Sequence, residues 1–223
     1  MHDEIYQSYL QSLVKYNRRA DIDSLDHLMT SIPVHVGSQI KYTRIDPDRR
    51  IEKTKTSLRI LERALILNLV KSSDASGLPL NACASAKVMK PLFLDVGLMQ
   101  HACGINPSDV LREKDLSNIY KRAVAEQFVG QHLLAAGGSE NRNMFYWSRA
   151  KKSSSAEVDY LYIKDGEILP IEVKSGPAGK LKSLHIFLKE HPHVKRGYVM
   201  SPMAFEKQQV DKLTFIPVYT RFA

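Results

Sequence analysis

The chain has 223 residues, 43% of them hydrophobic and 25% charged, the mix of a globular protein with one large or two small domains. Lysine and arginine outnumber aspartate and glutamate 32 to 24, a formal charge of +8, which favours polyanionic partners or simply keeps the surface soluble. Its two cysteines, Cys83 and Cys103, stand in no CxxC spacing, which excludes a zinc ribbon or a disulfide framework and points to a reducing, cytoplasmic setting.

Tyr6, Leu10, Leu13 and Val14 recur at helical spacing and predict a helix over residues 4–17. Leu25 and Leu28 predict a second over residues 21–31, closed by Pro33. A third short helix is expected over residues 37–45, before the turn at Asp46-Pro47-Asp48. Leu58, Leu61 and Leu65 mark a helix over residues 52–64. A strand over residues 65–70 and a returning strand over residues 87–94 complete the order of a winged-helix unit. Asp95 follows as a helix N-cap.

Seven basic residues lie between Lys41 and Arg59, among them Arg49, Arg50, Lys53 and Lys55, against Asp46, Asp48 and Glu52. In a nucleic-acid reading they neutralise phosphates and seat the helix in a groove. A solvated helix face is the other reading. Arg149 and Lys151, beside Trp147, are a second candidate phosphate contact, and Ser153–Ser155 a loop. His185, His191 and His193 form no HExxH motif and are expected at the surface.

The chemistry is concentrated in residues 157–174. Glu157–Ile163 and Ile168–Lys174 read as strands joined at Asp165-Gly166, a strong two-residue hairpin signal. That turn sets Asp159 opposite Glu172 and Glu157 opposite Lys174. Strand alternation then puts these four on one face, and Val158, Tyr160, Tyr162, Leu169, Ile171 and Val173 on the other. Facing carboxylates repel unless something positive lies between them. Oxygen ligands without histidine or thiolate suit Mg²⁺ or Mn²⁺, and Lys174 points the same way, toward a phosphate or an attacking water. A solvent-exposed face laced with Glu–Lys pairs is the alternative.

Asp159 followed after twelve residues by Glu172-Val173-Lys174 resembles the core of the PD-(D/E)XK nuclease superfamily. The resemblance implies an αβββαβ order. Residues 118–136 would be its first helix, 144–148 its first strand, 179–190 its second helix and 196–200 its next strand, with 215–219 a late edge strand carrying Pro217. It also implies a glutamate on the first helix. Glu126 fits, on the same side as Ile119, Ala123, Val129 and Leu133, where a carboxylate is costly unless paired or bound to metal.

A narrower resemblance covers nearly the whole chain. Lys90-Pro91-Leu92-Phe93-Leu94-Asp95-Val96-Gly97-Leu98, Ala125–Val129, Phe145–Arg149, Glu157-Val158-Asp159 and Ile171–Gly176 resemble the C-terminal regions of prokaryotic AAA-superfamily ATPases, which end in a domain of unknown function. Residues 58–69 fit the winged-helix part of that tail. Members of that family usually carry an N-terminal P-loop ATPase, and this chain is expected to lack that part. The chain also has no GxxxxGK[ST] loop, so no ATPase activity is expected from it alone, and an ATPase partner in trans is one expectation. No signal peptide is recognised at the polar start, and residues 64–70, the longest apolar run, are too short to span a bilayer.

The expected fold class is α/β (α+β), a helical and winged-helix part over residues 1–108 and a PD-(D/E)XK-like part over 109–223. The expected function is a Mg²⁺- or Mn²⁺-dependent nuclease acting on DNA, with Glu126, Asp159 and Glu172 as metal ligands and Lys174 on the phosphate or water. The alternative is a non-catalytic module that binds DNA or a partner protein, the recognition tail of an AAA-type ATPase.

Overall fold

The computed structural model describes residues 2–16, 21–105, 118–138, 142–149, 155–176, 181–202 and 208–220. The first half holds α1 (His2–Tyr16), α2 (Ile22–Ser31), α3 (Tyr42–Ile45), α4 (Ile51–Arg63), the strands β1 (Leu67–Ser73) and β2 (Ala84–Phe93), and α5 (Val96–Ala102). The second half holds α6 (Asn118–Ala136), β3 (Phe145–Ser148), β4 (Glu157–Lys164), β5 (Glu167–Val173), α7 (Lys182–Glu190), β6 (Gly197–Ser201), β7 (Gln208–Val210) and β8 (Leu213–Pro217). The class is mixed α/β. Among the described residues no helix is long and apolar enough to cross a membrane.

The helices start and bury as their sequences dictate. Asp21 caps α2 by accepting from the Ser24 N–H at 3.1 Å. Leu25, Leu28 and Met29 of α2 meet Leu58 and Leu61 of α4 in one apolar cluster. Inside it the Ser57 and Ser24 hydroxyls satisfy each other at 3.0 Å. Asp95 caps α5, as expected, taking the N–H groups of Gly97 and Leu98.

The eight strands of the described residues form one sheet in the order β2-β1-β3-β4-β5-β6-β8-β7. The β1–β2 hairpin therefore joins the second half's sheet, through parallel pairing of Lys71 and Ser72 with Phe145 and Tyr146. One continuous sheet crosses the boundary expected at residues 108 and 109. One face is covered by α6 through Val129 and Leu133. The other is covered by α7 through Leu184, Phe187 and Leu188.

The β4–β5 hairpin has the expected register. Asp165 and Gly166 both take positive φ, 52° and 74°, as a tight primed turn requires. Tyr160 pairs with Ile171 and Lys164 with Glu167. The expected alternation fails at one place. Phe145 pairs with Leu161 but Trp147 with Val158, so two steps of β3 face three steps of β4. That extra residue is a bulge. Val158 and Leu161 consequently share one core cluster while Tyr160 and Tyr162 enter the other. Val158 thus leaves the face expected for it.

Other elements also differ from expectation. Residues 37–45 do not form one helix. A short 3-10 turn at Pro33–His35 leads through an Ile40–Met89 bridge to the single turn of α3. The strand expected at 215–219 runs over Leu213–Pro217 and is internal, because β7 pairs outside it and forms the edge. His191 is buried, not exposed. Its ring stacks on Phe187 with centroids 4.2 Å apart, and Nε2 lies 2.7 Å from the Asp74 carbonyl.

α6 lies close against the sheet at Gly130. A Cβ there would stand 2.5 Å from the Tyr160 hydroxyl and 2.6 Å from Leu92 Cδ1. Gly130→Ala is expected to destabilise the protein by about 1–3 kcal/mol through overpacking, read as a lower urea midpoint with an unchanged slope.

Candidate acidic active site

The acidic residues are brought together by a helix, two strands and a bulge. Glu126 projects from α6 and is fully buried. Glu157 and Asp159 come from the start of β4, and Glu172 from the end of β5. The ladder between β4 and β5 ends at Tyr160 and Ile171. Beyond it the Asp159 carboxylate accepts the Val173 N–H at 2.8 Å, so a side chain takes over where backbone pairing stops.

The positive charge among these carboxylates is Lys90 of β2, only 2% exposed. Its ammonium lies 2.7 Å from Glu126, 2.8 Å from Glu157 and 3.3 Å from Asp159. The Glu126 contact is an ion pair off the line of a hydrogen bond, whereas the other two are hydrogen bonds. Burial alone would depress the Lys90 ammonium. Glu126, Asp159 and Glu157 reverse this and hold it well above its usual value.

Arg122, one helical turn before Glu126, adds a second cation. Its Nε donates to Glu126 at 2.7 Å and its Nη2 to Asp159 at 3.3 Å. Burial pushes the Asp159 carboxyl up, but Lys90, Arg122 and the Val173 N–H together hold it below the ordinary range. Glu126 goes the other way, to about 7, through burial and the nearby Asp159 charge. Burial and Asp159 likewise raise Glu172 to about 7. Lys174 donates to Glu172 Oε1 at 2.7 Å, while Oε2 is buried without a hydrogen-bond partner.

A strap from the first half lies over this centre. Gly37, at φ +76°, sits so close to α6 that a Cβ would be 3.3 Å from Ala123 Cα and 3.5 Å from the Glu126 carboxyl. Gln39 donates to Glu157 at 2.5 Å. A cleft of about 390 Å³ opens between this strap, Arg122, Arg149 and Glu157.

The sequence-predicted residues divide accordingly. Asp159, Glu172 and Lys174 are brought together. Glu126 joins Asp159 through Lys90 and Arg122, while Glu172 pairs with Lys174. Among the described residues no three histidine, cysteine, aspartate or glutamate groups are gathered closely enough to hold a metal ion. Arg49 is tied to Asp21 at 2.8 Å and Asp46 at 3.2 Å, and Lys55 to Glu52 at 2.9 Å. Arg50 and Lys53 are exposed. Arg149 pairs with Glu190, and Lys151 lies outside the described residues.

Sequence reasoning missed Lys90, Arg122 and Gln127 as parts of the centre. Gln127 is fully buried and clamps the Phe93 N–H and carbonyl at 2.8 and 2.6 Å, fixing β2 against α6. The Arg122–Glu126 pair had a local signal in its i, i+4 spacing.

Residues 121–220 match a domain of unknown function (DUF4143), found in the C-terminal regions of AAA-ATPase-like proteins. Residues 1–109 match a second domain of unknown function (DUF8612). No curated protein matches the chain. No solved structure matches it either. Lys90 lies in the region matched over residues 1–109, and its three carboxylate partners lie in the one matched over residues 121–220.

The raised acids carry a pH signature. Glu126 and Glu172 bind protons in the folded protein up to about 7, but in the unfolded chain only up to their ordinary value of 4.5. Between those values the native state holds more protons, so stability falls as pH rises. The melting temperature of metal-free protein is expected to drop from pH 5 to pH 8, and Glu172→Gln to flatten that slope.

Proposed function

We propose that the acidic centre hydrolyses phosphodiester bonds of nucleic acid with Mg²⁺ or Mn²⁺, on a PD-(D/E)XK-like core preceded by a winged-helix-like unit. The observation that carries this reading is Glu172, whose Oε2 is buried and unpartnered while Lys174 holds Oε1 and Asp159 lies near enough to raise its carboxyl. An orphaned buried carboxylate oxygen calls for a cation. The element order α6-β3-β4-β5-α7-β6 supports the core, and α2-α3-α4-β1-β2 the unit before it.

Asp159 and Glu172 would hold the ion. Two carboxylates suffice for Mg²⁺, whose remaining positions go to water and substrate phosphate. The ion supplies Lewis acidity and a water of lowered pKa. Lys174 stabilises charge developing on the phosphate. Glu126 acts through Arg122 and Lys90 and is a positioning residue. Exposed Arg50 and Lys53 remain as phosphate contacts, whereas Arg49 and Lys55 are engaged with acids of their own. The match to DUF4143 supports an AAA-type ATPase as partner.

The seating of Lys90 favours a second reading. The cluster's charge is largely met from within, so the same scaffold can serve as a non-catalytic tail that binds DNA or a partner protein.

Cleavage of plasmid DNA and labelled DNA and RNA strands with Mg²⁺ or Mn²⁺ tests the first reading. Lys174→Ala and Asp159→Asn are expected to lose about 100-fold or more in rate while melting as folded proteins. Unchanged cleavage in Lys174→Ala overturns it. The second reading predicts no cleavage and DNA binding that weakens with salt, survives Asp159→Asn and falls in Arg50→Glu/Lys53→Glu.

A further inference from the structure

The acidic centre consists of two halves that share one residue. Glu126, Glu157 and Asp159 surround the Lys90 ammonium. Glu172 lies with Lys174 and is not among the Lys90 contacts. Asp159 belongs to both halves. Its Oδ1 faces Lys90 and Arg122, and its Oδ2 accepts the Val173 N–H beside Glu172.

The first half has the form of a cation site with its cation in place. Three different carboxylates each bring one oxygen within 2.7–3.3 Å of the ammonium, Glu157 and Asp159 as hydrogen bonds and Glu126 as an ion pair. Those distances fit N–H···O contacts, whereas oxygens around Mg²⁺ close to about 2.1 Å. The Tyr146 and Tyr160 rings stand 5.9 and 6.0 Å from the ammonium and close the site laterally. Sites that take two divalent ions share ligands between positions about 3.5–4 Å apart. Asp159 is placed to be shared in that way, with Lys90 on one side and the unpartnered Glu172 oxygen on the other.

We infer that the Lys90 ammonium fills the place of a second cation, so that the chain takes one divalent ion, between Asp159 and Glu172. This rests on the proposed metal-dependent reading for the first ion. The occupancy by Lys90 stands on its own geometry. It also makes the site a joint product of the two matched regions, since the fixed cation comes from residues 1–109 and the carboxylates from 121–220.

Calorimetric titration of Mn²⁺ alone into the metal-free full chain tests it. Wild type is expected to bind one ion and Lys90→Met two, because removing the ammonium frees Glu126 Oε2 and Glu157 Oε1 and leaves Asp159 Oδ1 to Arg122 alone. Lys90→Arg, which keeps the charge, is expected to bind one. Should Lys90→Met fail to fold, Lys90→Met/Glu126→Gln removes a cation and an anion together, and a second ion is then expected at Glu157 and Asp159 with weaker affinity. Two ions in wild type, or the same number in wild type and both Met variants, overturns the inference. No ion in wild type and one in Lys90→Met upholds it while removing support for a resident ion at Asp159 and Glu172.

Discussion

The buried Lys90 ion cluster is the contact on which the arrangement of the two halves depends. Taking an ammonium and three carboxylates out of water costs several kcal/mol per ion, and only close pairing offsets it. Removing one partner from such a set typically costs about 3–5 kcal/mol, because the remaining charges stay buried. Lys90 comes from β2, Glu126 from α6, and Glu157 and Asp159 from β4. A displacement of any of these three elements would strand a charge. The Gln127 clamp on Phe93 and the close approach at Gly130 hold the same three elements in register. Polar pairing and apolar packing therefore enforce one geometry.

The bulge in β4 is what makes the centre compact. A regular strand would carry Asp159 and Tyr160 to opposite faces. The extra residue lets Tyr160 reach α6, where its hydroxyl donates to the Glu126 carbonyl at 2.9 Å, while Asp159 still reaches Lys90 and Arg122. Because backbone pairing between β4 and β5 stops at the same place, the Val173 N–H is left for the Asp159 carboxylate. One irregularity thus positions an acid, satisfies a backbone donor and separates Asp159 from Glu172 in the ladder.

What the sequence disclosed follows the range of the forces involved. The β4–β5 register was legible because Asp165-Gly166 fixes it locally. The helices α2 and α4 were legible from apolar spacing, α6 from the nuclease-like resemblance, and the Asp95 cap from its place after a strand. The need for a positive charge between the carboxylates was also legible, from the clash of Asp159 with Glu172. Its source was not. Lys90 is 36 residues from Glu126 and 69 from Asp159, and a lysine in a strand ordinarily reads as exposed. His191 was expected at the surface for the same reason, since its partner Asp74 lies 117 residues away. The bulge breaks the alternation used to assign faces, and the three exposed residues of β7 carry no apolar pattern.

Four carboxylates in this centre face three cations, Lys90, Arg122 and Lys174, so one negative charge is left over when all are ionised. Burial and the neighbouring Asp159 charge raise Glu126 and Glu172 to about 7, while Lys90, Arg122 and the Val173 N–H hold Asp159 down against its own burial. Asp159 touches the most donors and keeps its charge, and a proton on either raised glutamate relieves its repulsion from Asp159. A cation entering beside Glu172 would take over the role of that proton, and metal binding coupled to proton release is the general consequence. A fixed ammonium cannot be exchanged in this way. With Lys90 on one side of Asp159 and Glu172 on the other, half of the acidic centre carries a built-in cation, while the protonation of the other half follows pH.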